Sequence, residues 1–133
     1  MNSDELIENF SYLLDWEDKY RYLIELGEKM NPLPENARTD DCKVNGCQSQ
    51  VWIKGEKKED KFYFQAASDA IIVQGLEAVL LTFVNGKTAQ EIQNLDLLGL
   101  FKSLGDPAQP KINKRFLKRY LKINSVFKIQ FCF

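Results

Sequence analysis

The residues of this chain best suited to chemistry are Gly46-Cys47-Gln48-Ser49-Gln50-Val51-Trp52. A glycine, which tolerates tight backbone turns, stands before a cysteine. Polar residues follow, and then an apolar, β-prone run. A thiol on such a turn, ahead of a strand, is open to attack and to being attacked. The alternative is an ordinary buried cysteine at a loop-to-strand junction. The chain contains no histidine. That excludes a Cys–His nucleophile pair with imidazole as base and any metal site using imidazole. Sulfur exchange, in which a thiolate attacks a sulfur and no general base is strictly required, is compatible with a chain that lacks histidine. Lys43 and Lys54 favour the thiolate, while Asp40 and Asp41 oppose it. Cys42, five residues earlier, is either a resolving thiol or an incidental strand residue. Cys132 lies near the far end.

The elements that must position this thiol follow from patterning. Ser3 or Asp4 is expected to cap a first helix, in which Leu6, Phe10, Leu13 and Leu14 recur at helical spacing. After a break near Asp15 a second helix carries Trp16, Tyr20, Leu23, Ile24 and Met30. These aromatics read as core packing or as a partner-docking face. Asn31-Pro32-Leu33-Pro34 stops that helix, and residues 34–41 read as loop. Cys42-Lys43-Val44 is expected to begin an edge strand. Val51-Trp52-Ile53 forms a strand, Gly55 to Asp60 a charged turn, and Lys61 to Ala66 the return strand with Phe62, Phe64 and Ala66 on one face. Ser68 is expected to cap the next helix, with Asp69 at the positive end of its dipole. Residues 71–84 are apolar nearly all round, as in a buried helix. Gly75 there costs stability unless a neighbour needs the space. Asn85-Gly86 ends it, and Thr88 with Glu91 forms a capping box for a short helix. Residues 95–104 read as another. The expected fold is α+β: N-terminal helices, a small antiparallel sheet of about three strands, then C-terminal helices packed on one side.

Length and composition agree. The 133 residues correspond to one domain, large enough to bury a core without disulfides or metal. A net charge of −1 gives no case for nucleic acid. No apolar run approaches a membrane span. The acidic start Met1-Asn2-Ser3-Asp4-Glu5 lacks the layout of a signal peptide, which implies a cytoplasmic protein with reduced thiols.

The stretch Val44-Asn45-Gly46-Cys47-Gln48-Ser49-Gln50-Val51-Trp52 resembles the active-site signature of the SufE family, sulfur acceptors that work with cysteine desulfurases. Trp16-Glu17-Asp18-Lys19-Tyr20-Arg21-Tyr22-Leu23-Ile24-Glu25-Leu26-Gly27 and Ser68-Asp69-Ala70-Ile71-Ile72-Val73-Gln74-Gly75-Leu76 agree with it, in the family's order. The likeness covers about residues 6 to 104. It implies that Cys47 accepts persulfide sulfur, with Gly46, Gln48 and Ser49 as its supporting loop and Asp69 as a site or partner contact. It implies a pyridoxal-phosphate cysteine desulfurase (SufS-like) as partner, which the chain stimulates. An iron–sulfur scaffold complex is then the downstream acceptor, and the chain needs no cofactor of its own. On that reading the protein is a transpersulfuration partner rather than a stand-alone enzyme. Two other classes stay open. One is a metal or cluster scaffold using Cys42, Cys47 and Cys132 with Asp40 or Asp41, although the spacing is loose for thiolate sites. The other is a partner-binding module whose cysteine is inert.

The family's C-terminal pattern, Leu-Ser/Thr-Pro followed by an arginine and Gly-Leu, is not legible here. Residues 105–133 are instead basic and then apolar. Phe116, Tyr120 and Ile123 share a helical stripe, and residues 125–133 are strand-like. This tail reads as a basic helix for a nucleic-acid or acidic partner, as divergence, or as a frameshift. Read one base later, codons for residues 111–116 can encode Arg-Ser-Thr-Asn-Gly-Phe, which is close to the missing segment.

Overall fold

The computed structural model describes residues 1–43 and 49–105, with Leu98 described by its backbone only. The expectations for Val44, Cys47 and its immediate neighbours, and for the tail beyond Gly105, lie outside the described residues.

Helix α1 spans Ser3–Ser11, and its cap is Asn2 rather than Ser3 or Asp4. The Asn2 side chain accepts the Glu5 amide at 2.9 Å. An asparagine in extended backbone is among the best N-caps, and it moves the start one residue earlier. Helix α2 spans Trp16–Lys29 and is capped by Asp15, whose carboxylate accepts the Asp18 amide at 2.8 Å. It stops before Asn31-Pro32, as the proline requires.

Strands β1 (Val51–Lys58) and β2 (Lys61–Ser68) form an antiparallel hairpin in which Lys58 faces Lys61 and Val51 faces Ser68. The expected charged turn over Gly55 to Asp60 is mostly strand. Only Glu59 and Asp60 turn, with Glu59 in the left-handed region at φ 59°. Charged side chains on the exposed face are compatible with a ladder, so composition alone misplaces the turn. Helix α3 spans Ile71–Val84. The third strand, β3 (Lys87–Thr88), pairs with β2, giving the order β1-β2-β3. The edge strand expected at Cys42 is instead a 3₁₀ turn, Asp40–Cys42, followed by one bridge from Lys43 to Trp52. Helix α4 (Ala89–Gln93) carries the expected Thr88–Glu91 capping box. Helix α5 is Leu97–Lys102, capped by Asp96.

The inner face of the hairpin (Val51, Ile53, Phe62, Phe64, Ala66) shares one core cluster with Leu6 and Phe10 of α1, Leu23 of α2, Phe83 of α3, Ile92 of α4 and Phe101 of α5. Phe83 and Phe101 meet edge to face at 5.5 Å, a geometry that aromatic pairs prefer. Helices α2 and α3 touch backbone to backbone. A Cβ on Gly75 would overlap the Leu23 carbonyl oxygen and lie 2.8 Å from Leu23 Cγ; one on Gly27 would lie 2.8 Å from the Gly75 nitrogen. The space that Gly75 was expected to leave is therefore filled. Gln74 Nε2 closes the same crossing by donating to the Gly27 carbonyl at 3.0 Å.

Asn85 extends the ladder beyond its strands. Its side chain accepts the Phe64 amide at 2.7 Å and donates to the Phe64 carbonyl at 3.3 Å, while Gly86, at φ 76°, donates its amide to Phe62 at 2.8 Å. Among the described residues no helix is long and apolar enough to cross a membrane.

The helical stripes at the N-terminus divide differently from their periodicity. Leu6, Phe10 and Leu23 are buried, whereas Tyr12, Leu14 and Trp16 are 70%, 93% and 61% exposed. The core-packing reading fails for Leu14 and Trp16 because the α1–α2 turn carries them past the end of the core.

Candidate functional site

Cys47, Gly46 and Gln48 lie outside the described residues; the frame on either side of them is described. Upstream, the Asp40–Cys42 turn is closed by amide donation from Cys42 to Thr39 (3.1 Å) and from Lys43 to Asp40 (3.2 Å). Cys42 is buried, and Lys43 then bridges to Trp52 on β1. The Arg38 guanidinium sits 5.7 Å over the Trp52 ring, a cation–π contact that ties this segment to the strand.

Downstream, the frame is Gln50. The hairpin register sets Val51 opposite Ser68, so the next residues outward are Gln50 and Asp69. Two hydrogen bonds join them, and a third joins Gln50 to Ser68. Gln50 donates its amide to Asp69 Oδ1 at 3.0 Å. Its carbonyl accepts the Ser68 hydroxyl at 2.8 Å and the Asp69 amide at 3.2 Å. Ser68 Oγ also accepts the Ala70 amide at 3.2 Å.

This corrects two sequence expectations. Ser68 does not cap α3 in the usual sense: it ends β2, and the residue at the N-cap is Ala70, with no side-chain cap. Asp69 is not merely a charge at a helix start, because its carboxylate is engaged across the hairpin mouth. The connection from Lys43 to Gln50 is thus held at its upstream end against β1 and at its downstream end against the end of β2. Ser49, within it, is half-buried.

The charges nearby are mixed. The Thr39 hydroxyl donates to the Asp41 carboxylate. That bond first, the backbone amide next, and Lys54 to a smaller degree hold the Asp41 carboxyl below the usual carboxylate range. Asp41 is therefore an anion at neutral pH, offsetting Lys54 and Lys43. Ile71, two residues beyond Asp69, is 64% exposed.

Among the described residues no three His, Cys, Asp or Glu side chains gather as a metal-binding set. Of the three cysteines a scaffold would use, Cys42 alone is among them.

Comparison with known proteins bears on the same residues. A family model described as "SufE: Fe-S metabolism associated domain" matches residues 4–108. The chain belongs to the SufE family.

Among curated relatives, an uncharacterized SufE-like protein of Rhizobium meliloti is 43% identical over 106 residues, covering 77% of this chain and 76% of that protein. Another from Rhizobium etli is 44% identical over 106 residues, covering 77% of this chain and 72% of the relative. Membership ties this SufE-family chain to iron–sulfur metabolism. Its α+β architecture brings the Ser68-Asp69 segment against the residue that leaves the Cys47 stretch. Sequence reasoning missed Gln50 and Lys43 as the two anchors. The usable signal was the hairpin register, which follows once the turn is set at Glu59-Asp60.

Proposed function

We propose that this chain is a sulfur acceptor that takes persulfide sulfur onto Cys47 from a pyridoxal-phosphate cysteine desulfurase of the SufS-like kind. In doing so it stimulates the desulfurase, and it passes the sulfur on to a scaffold complex for iron–sulfur cluster assembly. The Cys47 thiolate attacks the outer sulfur of the donor's persulfide. A new S–S bond forms to Cys47, the old S–S bond breaks, and the donor cysteine leaves as thiolate, so there is no net redox change. Attack by thiolate needs no histidine when the donor surface or the pH supplies the ionised form. On this reading residues 1–133 act as one cytoplasmic SufE-like domain without a cofactor of its own, and Gly46, Gln48 and Ser49 form the loop that presents the sulfur.

The observation that carries the proposal is the double anchoring of the Cys47 connection, by the Lys43–Trp52 bridge and the Gln50–Asp69 pair, within a chain of this family. A thiol used for handover profits from a stretch whose ends are fixed. Exposed Ile71 beside Asp69 offers that partner apolar contact.

The test is intact mass under non-reducing conditions after incubation with an active cysteine desulfurase and cysteine. The native chain and Cys42→Ser should gain one or more sulfur atoms, and Cys47→Ser none. Sulfur retained by Cys47→Ser, or absent from all three with the desulfurase shown to be active, sinks the assignment.

A further inference from the structure

Tyr12, Leu14 and Trp16 stand within five residues of one another at the α1–α2 corner, and all three are largely exposed. Three large exposed apolar side chains in one short stretch, with Trp16 set edge to face against Tyr20 at 5.7 Å, put more apolar surface in water than scattered single residues do. The surrounding charge is acidic. Tyr12 donates its hydroxyl to the Glu8 carboxylate at 2.9 Å, Asp15 caps α2, and Glu17 and Asp18 fill its first turn. Among the described residues the ion pair at this corner is Arg21–Asp18 at 3.4 Å, with both partners substantially exposed.

Charge is divided unevenly along the chain. Residues 1–105 hold 11 Lys and Arg against 18 Asp and Glu, a net of −7, whereas residues 106–133 hold 7 against 1, a net of +6. The near-neutral total hides two opposed parts. The basic residues of the second part are interleaved with Phe116, Leu117, Tyr120 and Leu121. The described chain ends at Gly105, against which the Lys19 side chain packs, with its Cε 3.5 Å from where a Gly105 Cβ would stand. Lys19 is one helical turn from Trp16, so the two side chains share a face of α2. The last described residue, Gly105, thus lies within reach of the α2 face that carries Trp16. The family match ends at residue 108, ahead of the basic run.

We propose that residues 111–122 of this same chain dock across the Tyr12–Leu14–Trp16 corner, their apolar side chains covering it and their lysines and arginines meeting Glu8, Asp15, Glu17 and Asp18. The segment need only fold back on its point of departure, and a covalently attached ligand has a high effective concentration. The contact is electrostatic at its rim, so salt weakens it: screening shortens from about 10 Å at 0.1 M to about 3 Å at 1 M.

Zero-length carbodiimide cross-linking of the full chain, with peptide mapping, tests this directly. At low salt, links are expected from Lys111, Lys114, Lys118 or Lys122 to Glu8, Asp15, Glu17 or Asp18, on a species that runs as monomer, with the yield falling several-fold at 1 M salt. Links found only in a dimer would assign the patch to a second copy and overturn the proposal. So would tail links to other faces of the fold, or no tail links at all. A second readout uses Trp52→Phe, which leaves Trp16 as the sole indole. Reversing Lys114, Arg115, Lys118 and Arg119 to Glu should raise acrylamide quenching of Trp16 several-fold, and unchanged quenching counts against docking. If Trp52→Phe does not fold, the cross-linking result stands alone and still decides.

Discussion

The Asp69 carboxylate accepts the Gln50 amide at 3.0 Å, and the Asp69 amide returns a bond to the Gln50 carbonyl at 3.2 Å. A side chain here completes a ladder whose strands have already ended. Because the pair closes the mouth of the hairpin where the Cys47 stretch ends, it links the stability of that mouth to the proposed handover.

Asp69→Ala is expected to lose the side-chain acceptor. A hydrogen bond to a charged group contributes about 1.5–3 kcal/mol, and exposure of Asp69 reduces this to about 1 kcal/mol. Sulfur uptake by Cys47 should slow several-fold. Asp69→Asn, which keeps a carbonyl oxygen at Oδ1, should restore most of both. Urea midpoints and the rate of mass gain with a desulfurase check the two effects separately. An alanine variant with native uptake would mean that the pair serves the fold alone.

Gly75→Ala should destabilise the protein although alanine is the better helix former. The added methyl meets the Leu23 carbonyl and Leu23 Cγ, and helices in backbone contact cannot yield without moving apart. Overpacking of this kind costs about 1–3 kcal/mol. Equilibrium unfolding should register that loss; a variant as stable as the native protein would show that the crossing relaxes freely.

The Thr88 backbone amide and then its hydroxyl, with smaller help from Lys87 and Lys61, hold the Glu91 carboxyl below its ordinary range. A carboxyl depressed by folding adds stability that is whole above its unfolded value and lost as pH falls through the lower folded one. Glu91→Gln should therefore be less stable than the native chain at neutral pH, with the gap closing in acid. Thr88→Ala removes the N-cap and should cost about 1 kcal/mol at neutral pH. Denaturant titrations at several pH values test both, and a gap that widens in acid would contradict the sign.

Much of this was legible from residue order because the patterns are local. The two-residue period of Phe62, Phe64 and Ala66, the proline stop after α2 and the Thr88–Glu91 box each declare themselves within a few residues. What escaped was set by distance in sequence. Asp69 and Gln50 are 19 residues apart, and only the register joins them. That register was hidden by reading Gly55 to Lys58 as turn on the strength of their charge. Asn85 likewise serves Phe64 from 21 residues away. Periodicity also could not say where the core ends, so Leu14 and Trp16 carried a buried pattern into solvent. For the site, the cysteine stretch was visible through its glycine and its likeness to a family, while the residues that hold its ends became visible only in three dimensions.

The two fixed ends of that stretch impose a short leash. Three peptide steps separate Cys47 from Gln50, and a fully extended chain advances about 3.3–3.6 Å per residue. The Cys47 backbone can therefore stand only about a nanometre from Gln50, and the sulfur it would carry only one side chain beyond that. A cysteine on so short an arm cannot swing its cargo between distant centres while the fold stays in place. If the chain is the sulfur acceptor proposed above, donor and recipient must each come to the same rim of this protein, one after the other.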